Sequence, residues 1–174
     1  MCQNNEIELR KFSEEDIPNK IKWINDSANN TYLHYDLPLE FDKTLRWFQN
    51  NKDKENRYDA VILYDGVPVG LIGLLGIDRV NRKAEYYICL GEHNIKGKGI
   101  ATRASKLLFD YAFETLDLNK IYLYTEVDNL SAQKLFERRN FKKEWLFVDD
   151  LIYNGRKVSR YAYALLKEDA SNEW

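Results

Sequence analysis

Apolar residues recur along the chain with a period that changes several times, and each period predicts a type of element. Ile7 to Arg10 alternates with a period of two, which predicts a short first strand. Apolar residues then recur three or four positions apart from Ile17 to Ala28 and again from Phe41 to Phe48. This spacing predicts two amphipathic helices, and the polar residues from Asn25 to Thr31 predict a loop at the end of the first.

Three strands are predicted in the middle of the chain. Tyr58 to Tyr64 and Val67 to Leu75 are rich in β-branched and aromatic residues, and Asp65-Gly66 separates them. Both positions of a type I′ turn need a positive φ, so this dipeptide predicts a tight hairpin. Lys83 to Leu90 predicts the third strand, and a loop from Gly91 to Gly99 follows it.

The period returns to that of a helix at Ile100 and holds to Thr115, the clearest helical pattern in the chain. Lys120 to Val127 then predicts a strand, and Ser131 to Arg139 a short helix that ends at Asn140, a residue that tolerates the left-handed conformation. The last two predicted strands are Phe141 to Tyr153 and Arg156 to Leu166. Asn154-Gly155 between them predicts a tight hairpin turn.

This order of elements predicts a mixed α/β (α+β) fold with a mostly antiparallel sheet flanked by helices. With 174 residues, the chain has the length of one domain. We expect a single domain over residues 1–174, with its core at about 7–166 and a loose polar tail at 167–174.

Composition and charge narrow the classes of function. Lys and Arg number 26 against 28 Asp and Glu, so the basic excess typical of nucleic-acid binding is missing. No apolar run approaches the roughly 20 residues of a membrane span, and the first ten residues lack a signal-peptide core. Two cysteines (Cys2, Cys89) and two histidines (His34, His93) predict neither a disulfide framework nor a metal site. We therefore expect a cytoplasmic protein with no metal, nucleic-acid or membrane partner.

The loop before the long helix carries the candidate chemistry. It reads Asn94-Ile95-Lys96-Gly97-Lys98-Gly99-Ile100-Ala101 and lies between a predicted strand and a predicted helix. Glycines let the backbone turn tightly, and the free amides at a helix N-terminus favour an anion. The two lysines add positive charge, so the loop predicts a phosphate-binding site.

Two common phosphate loops do not match. A P-loop needs four residues between its glycine and Gly-Lys-Ser/Thr, but five separate Gly91 from Gly97, and Gly99 replaces the hydroxyl residue. A dinucleotide loop needs a third glycine where Thr102 stands and an acidic residue where Asn119 stands.

Asn94-x-x-Gly97-x-Gly99 resembles the pyrophosphate loop of the GCN5-related N-acetyltransferases (the GNAT superfamily), Gln/Arg-x-x-Gly-x-Gly/Ala. A second block from Asn129 to Phe141, with Ala132, Phe136 and Asn140 at the spaced positions, resembles the family segment Asn-x-x-Ala-x-x-x-Tyr-x-x-x-Gly-Phe. The resemblance covers roughly residues 7–166. It is greatest to the branch of ribosomal-protein N-terminal, polyamine and amino-sugar acetyltransferases.

The resemblance implies a binding site for acetyl-CoA between two splayed strands. It implies that loop amides bind the pyrophosphate, that strand residues pair with the pantetheine arm, and that three residues of the second block complete the site. The implied residues are Ile95, Lys96, Gly97, Lys98, Gly99, Ile100 and Ala101 in the loop, Ile88, Cys89 and Leu90 in the strand, and Asn129, Phe136 and Arg138 in the block.

The resemblance also implies a reaction, direct attack of a primary amine on the thioester. Glu85 lies where many relatives carry a glutamate, and a carboxylate flanked by aromatic residues suits a general base. The alternative is a glutamate on an exposed strand face or in an ion pair with Arg79 or Arg82. Phe136 replaces the usual tyrosine that protonates the thiolate, which leaves water, Ser131, Tyr122 or Tyr124 for that role.

The implied activity is acetyl transfer from acetyl-CoA to a polyamine, a protein N-terminus or an amino sugar. Tyr32, His34, Tyr35 and Asp36 are expected to line the acceptor groove. Two alternatives remain open, a non-catalytic acyl-CoA-binding regulatory module and a binder of another nucleotide. The same branch also suggests a homodimer formed through the last strands.

Overall fold

A single seven-stranded sheet forms the centre of the computed structural model, which describes residues 6–95 and 97–170. Its order is β1-β2-β3-β4-β5-β7-β6, and every neighbouring pair is antiparallel except β4 and β5. This confirms the predicted fold class. The strands are β1 (Ile7–Lys11), β2 (Arg57–Tyr64), β3 (Val67–Asp78), β4 (Lys83–Leu90), β5 (Lys120–Glu126), β6 (Lys142–Tyr153) and β7 (Arg156–Leu166).

Helices cover both faces of the sheet. Ile72 packs in the main core with residues of α4, whereas its neighbour Leu71 packs with Ile17 and Trp23 of α1. Because consecutive strand residues point to opposite faces, α1 and α4 lie on opposite sides of the sheet. The helices are α1 (Ile17–Asn25), α2 (Ser27–Asn30), α3 (Phe41–Asn51), α4 (Ile100–Asp110), α5 (Leu130–Glu137) and α6 (Lys167–Ala170).

The predicted turns are present. Asp65 and Gly66 have φ values of 50° and 78°, and Asn154 and Gly155 have 48° and 74°. Asn140 follows α5 with a φ of 60°. These left-handed residues set where each hairpin and helix ends, as their side chains predict.

Two expectations about loops were wrong. The polar segment after α1 contains the short helix α2, because the side chain of Asp26 accepts a hydrogen bond from the amide of Ala28 (2.9 Å) and caps it. The first half of the expected tail forms α6, which is anchored where Lys167 Nζ donates to the carbonyl of Phe113 (2.8 Å) and where Ala170 packs in the main core. Residues 171–174 lie outside the described residues.

The parallel pair β4 and β5 separates after a short contact. Only three positions pair, of which Glu85 and Tyr122 are the last. Beyond them β4 stays hydrogen-bonded to β3 along its other edge, as far as Leu90. The two strands therefore diverge and open a cleft, as the resemblance implied. Across the described residues, no helix combines the length and the apolar character needed to cross a membrane.

Candidate active site

The cleft between β4 and β5 has a volume of about 900 Å³ and is bounded by α5, the start of α4 and the residues after α2. It brings together eleven of the residues expected to act as the base or to contact the cofactor or the acceptor. They are Tyr32, His34, Glu85, Ile88, Cys89, Leu90, Gly97, Ala101, Asn129, Phe136 and Arg138.

Several other expected residues lie elsewhere. The side chains of Ile95 and Ile100 are buried in the main core, so only their backbone can serve the loop. Lys98 places its ammonium 5.6 Å from the centre of the Tyr64 ring, outside the cleft lining. Lys96 lies outside the described residues.

Tyr35 and Asp36 do not line the cleft, contrary to expectation. The Tyr35 ring lies 5.8 Å from the ammonium of Lys20, a buried residue of α1. Burial raises the pKa of the Tyr35 hydroxyl. Asp36 is exposed to solvent. His34 lines the cleft, whereas the neighbouring Tyr35 contacts Lys20 instead.

The glycine loop has the backbone that an anion site requires. Gly97 and Gly99 have φ values of 82° and 70°, in the left-handed region that favours glycine. The Gly99 carbonyl accepts from the amide of Arg103 (3.1 Å) and so begins α4. The first amides of a helix have no intrahelical partner. Because Gly97 and Ala101 both line the cleft, these amides lie at its rim, where a diphosphate fits.

The exposed edge of β4 provides the second part of a coenzyme A site. Ile88, Cys89 and Leu90 pair with β3 through one edge, and their other edge faces the cleft. An extended amide chain such as pantetheine pairs with such an edge as another strand does. Opposite, Asn129 lines the cleft and caps α5 by accepting from the amide of Ala132 (3.2 Å).

Two cations, Lys134 of α5 and Arg138 directly after it, also line the cleft. Arg138 was expected there, whereas Lys134 was missed, although its place four residues before Arg138 puts both on one helical face. Together with the glycine loop they make this part of the cleft suitable for the phosphates of coenzyme A.

Glu85 lies at the point where the strands separate, and its environment raises its pKa. Desolvation is the larger cause, and the charge of Arg160 opposes it. Among the described residues, no hydrogen bond or ion pair ends on its carboxylate. Arg82 is paired with Asp117 (2.6 Å), so that expected alternative partner is engaged elsewhere. A half-buried carboxylate with a raised pKa that borders a cleft is suited to accept a proton.

Arg160 was not predicted as a site residue. It lies over the ring of Tyr124 (4.6 Å) and donates from Nε to Asp150 (2.6 Å). Its position near Glu85 depends on the pairing of β5 with β7, so no local sequence pattern predicts it.

The replacement of the usual tyrosine by Phe136 has a structural basis. The Phe136 ring contacts the rings of Tyr86, Phe141 and Tyr163 at centroid distances of 5.9–6.5 Å. It thus packs partly in the aromatic core while bordering the cleft. Of the hydroxyl groups considered as substitutes, Ser131 and Tyr124 line the cleft and Tyr122 does not.

Comparison with known proteins gives consistent matches. The family model described as an acetyltransferase (GNAT) domain matches residues 6–142. A putative ribosomal N-acetyltransferase of Bacillus subtilis is 35% identical over 158 residues, which cover 87% of this chain and 80% of that protein. A spermidine N(1)-acetyltransferase of Escherichia coli is 28% identical over 151 residues, covering 86% of this chain and 80% of that protein. The structure of a Vibrio cholerae spermidine N-acetyltransferase in complex with CoA and spermine superposes with a TM-score of 0.88 at 26% identity, and the match covers 97% of this chain and 100% of that one.

Proposed function

Since the chain belongs to the GNAT family of acetyltransferases and is an acetyl-CoA-dependent N-acetyltransferase, we propose that it acetylates a primary amine by direct attack in a ternary complex. The observation that carries this proposal is the position of Glu85. It borders the same cleft as the glycine loop and the open edge of β4, with a raised pKa and no bound partner among the described residues.

The residues present fit coenzyme A. The amides that open α4 and the cations Lys134 and Arg138 would hold its phosphates, and the β4 edge and Asn129 would hold its pantetheine arm. Acetyl-CoA supplies an activated acyl group. The chain's own contribution is to direct the thioester towards the point where β4 and β5 part, and to exclude part of the solvent from it.

Proton removal is the chemical task that falls to Glu85. An amine is mostly protonated at neutral pH and is nucleophilic only after it loses a proton. Glu85 takes that proton directly or through a water molecule. Phe136 cannot protonate the departing thiolate, so Ser131, Tyr124 or water serves there, and the two side chains are supported by their places in the cleft.

A polyamine such as spermidine is the first acceptor to test. The support comes from the relatives, since proteins 28% identical over most of this chain are spermidine acetyltransferases. It also comes from the structural neighbour, whose complex contains spermine.

A protein N-terminus is the second candidate, and charge pairing favours it. Asp150 is paired with Arg160, and Glu126 with Arg156. Glu85 is then the cleft-lining carboxylate without an ion pair among the described residues. One such carboxylate matches a single ammonium group better than a polycation. The relative of 35% identity named as a putative ribosomal N-acetyltransferase agrees with this candidate.

An assay of free thiol released from acetyl-CoA tests both candidates. Spermidine, glucosamine, a peptide with a free N-terminus and the same peptide with a blocked N-terminus are compared at equal concentration. We expect turnover with at least one free amine and none with the blocked peptide. The ratio of kcat/KM between spermidine and the free peptide decides between the two acceptors. An absence of turnover with every amine, in a protein that binds coenzyme A tightly in calorimetry, would favour the non-catalytic module.

A further inference from the structure

Glu126, the last residue of β5, is a buried carboxylate next to His34, on the side of the cleft where we expect the acceptor. Its side chain is only 2% exposed, yet it belongs to the cleft lining. Removing an ionised carboxylate from water is costly unless partners compensate its charge. The residues that compensate the charge of Glu126 therefore indicate its role.

Two residues from distant parts of the chain bind this carboxylate. Arg156, the first residue of β7, donates from both terminal nitrogens to both oxygens at 3.0–3.1 Å. His34 Nε2 lies 2.7 Å from Oε1. We call Glu126, His34 and Arg156 the Glu126 cluster. Because a bidentate arginine and a histidine already occupy its oxygens, Glu126 is not free to bind the ammonium of an acceptor.

The acceptor segment (residues 31–36) is held to the sheet by this cluster and by further contacts of Tyr153 and Tyr32. The ring of Tyr153, at the end of β6, contacts the His34 ring edge-on at 5.1 Å, and its hydroxyl donates to the carbonyl of Tyr35 (2.9 Å). The Tyr32 hydroxyl reaches the carbonyl of Asp128 (3.3 Å). All of these contacts are polar or edge-on, and several residues of the segment are exposed to solvent.

Tyr35 is partly buried against Lys20, on the side of the segment away from the cleft. The two residues that line the cleft, Tyr32 and His34, are held by the polar and edge-on contacts, so the charged cluster contributes much to their position. A segment held by few buried apolar contacts has low local stability, so the loss of one strong contact releases it readily. Tyr32 and His34 form the part of the cleft wall that lies against Asp128 and Glu126, at the end of β5.

We propose that Glu126 is a positioning residue for the acceptor: through His34 and Arg156 it holds the acceptor segment against the end of β5 and the β6–β7 hairpin. This inference rests on the proposed function. It assigns no proton transfer to the Glu126 cluster, which acts on the acceptor only through the segment that it holds.

Arg156→Ala is the sharpest test, because Arg156 does not line the cleft and can affect the acceptor only through Glu126. Losing a charged hydrogen-bonded partner is worth roughly a factor of ten in binding. We expect KM for the acceptor to rise about tenfold, with KM for acetyl-CoA and kcat nearly unchanged. Glu126→Gln keeps an oxygen for Arg156, so it should show a smaller rise, and it serves if Arg156→Ala folds poorly.

Asp16→Asn is a matched control. The Asp16 side chain is 4% exposed and is held by two nitrogens of Arg10, at 2.7 Å and 3.0 Å, but it does not line the cleft. The variant Asp16→Asn should lower Tm, as we expect the Glu126 cluster variants to do, and it should leave KM for the acceptor unchanged.

Hydrogen exchange gives a readout that does not depend on turnover. In Arg156→Ala, peptides that cover residues 31–36 should exchange faster, whereas in Asp16→Asn they should not. If these peptides keep their protection and KM for the acceptor does not change, the role assigned to Glu126 is wrong. If the wild type acetylates no amine, the proposed function fails, and the exchange result alone decides whether the cluster holds the segment.

Discussion

At the scale of single residues, the environment of Glu85 determines the chemistry of the cleft. Glu85 is the last residue of β4 that pairs with β5. Its carboxylate borders the cleft that opens where the two strands separate. Partial burial raises its pKa, and the Arg160 charge limits the rise. A base of this kind works only when deprotonated, so activity should fall as the pH falls through its raised pKa.

Glu85→Gln should lower kcat by about a hundredfold, the lower end of the contribution of a positioned base. The acidic limb of the pH profile of kcat/KM should disappear with it, while the Kd for coenzyme A stays the same. Steady-state kinetics over pH 5–9 and calorimetry measure both. Glu8→Gln, at an exposed residue of β1, is the control and should behave as wild type. An unchanged kcat in Glu85→Gln would remove Glu85 from the mechanism.

Lys20 is the other residue whose environment is unusual. It is only 7% exposed, and its ammonium lies 3.8 Å from the centre of the Trp47 ring. Desolvation, the largest cause, lowers its pKa to about 8. Because the unfolded chain binds this proton more tightly than the folded one, the stability contribution of Lys20 rises with pH between about 8 and 10.5.

Lys20→Met should remove this dependence. The free energy of unfolding of the wild type relative to the variant should increase by up to about 3 kcal/mol from pH 7 to pH 10.5, the value of the lost pKa shift. Urea unfolding at a series of pH values measures it. Lys22→Met, an exposed residue of the same helix, should give a flat difference. A flat difference for Lys20→Met would mean that its ammonium is solvated in the folded state.

At the scale of elements, the loop between β4 and α4 combines two requirements. Left-handed residues at 97 and 99 turn the chain into the helix, and the turn brings the first amides of α4 to the cleft. A Cβ at Gly99 would meet no atom within 4 Å. The position therefore favours glycine because of its left-handed backbone conformation and not because a side chain would clash. A substitution there acts through φ.

Gly99→Ala should weaken coenzyme A binding about tenfold, since a left-handed alanine costs roughly 1–2 kcal/mol and the loop shifts to relieve it. Titration calorimetry measures the Kd. Gly155→Ala is a close control, because Gly155 has a φ of 74° and open space around it but lies in the β6–β7 turn. That variant should lose stability and bind coenzyme A normally. Equal affinity in both variants would show that the conformation at Gly99 does not matter for binding.

At the scale of the whole molecule, β6 forms an edge of the sheet and leaves much apolar surface exposed. Trp145, Val148 and Ile152 are each about two-thirds to three-quarters exposed. An apolar edge strand of twelve residues is a surface that favours pairing with another chain. We expect a second copy to cover it, in agreement with the homodimer suggested by the branch that the sequence resembles.

Val148→Lys should therefore shift the mass measured by light scattering from that of two chains to that of one. Val80→Lys, at an exposed valine in the β3–β4 connection, should leave the mass unchanged. A wild-type protein that is monomeric at micromolar concentration would contradict this prediction.

Much of the fold follows from local patterns. The strands, the long helix, the two hairpin turns and the glycine loop were predictable because period, β-branching and the sign of φ are properties of neighbouring residues. The short helices α2 and α6 were missed, since each depends on a single side chain, Asp26 or Lys167, that binds the backbone. Marginal helices of four residues carry too little pattern to be recognised.

The sequence by itself predicted the glycine loop, the strand that carries Glu85 and the helix that follows. Each of these elements adopts its conformation through interactions between residues that are close in the sequence. Only the tertiary structure decided which side chains are in contact. His34 lies 92 positions from Glu126, and Arg156 lies 30 from it. Arg160 reaches the neighbourhood of Glu85 only through the pairing of β5 with β7, and Lys20 and Tyr35 share a buried site. Electrostatic interactions act between side chains that are close in space, and that proximity does not exist until the sheet has assembled.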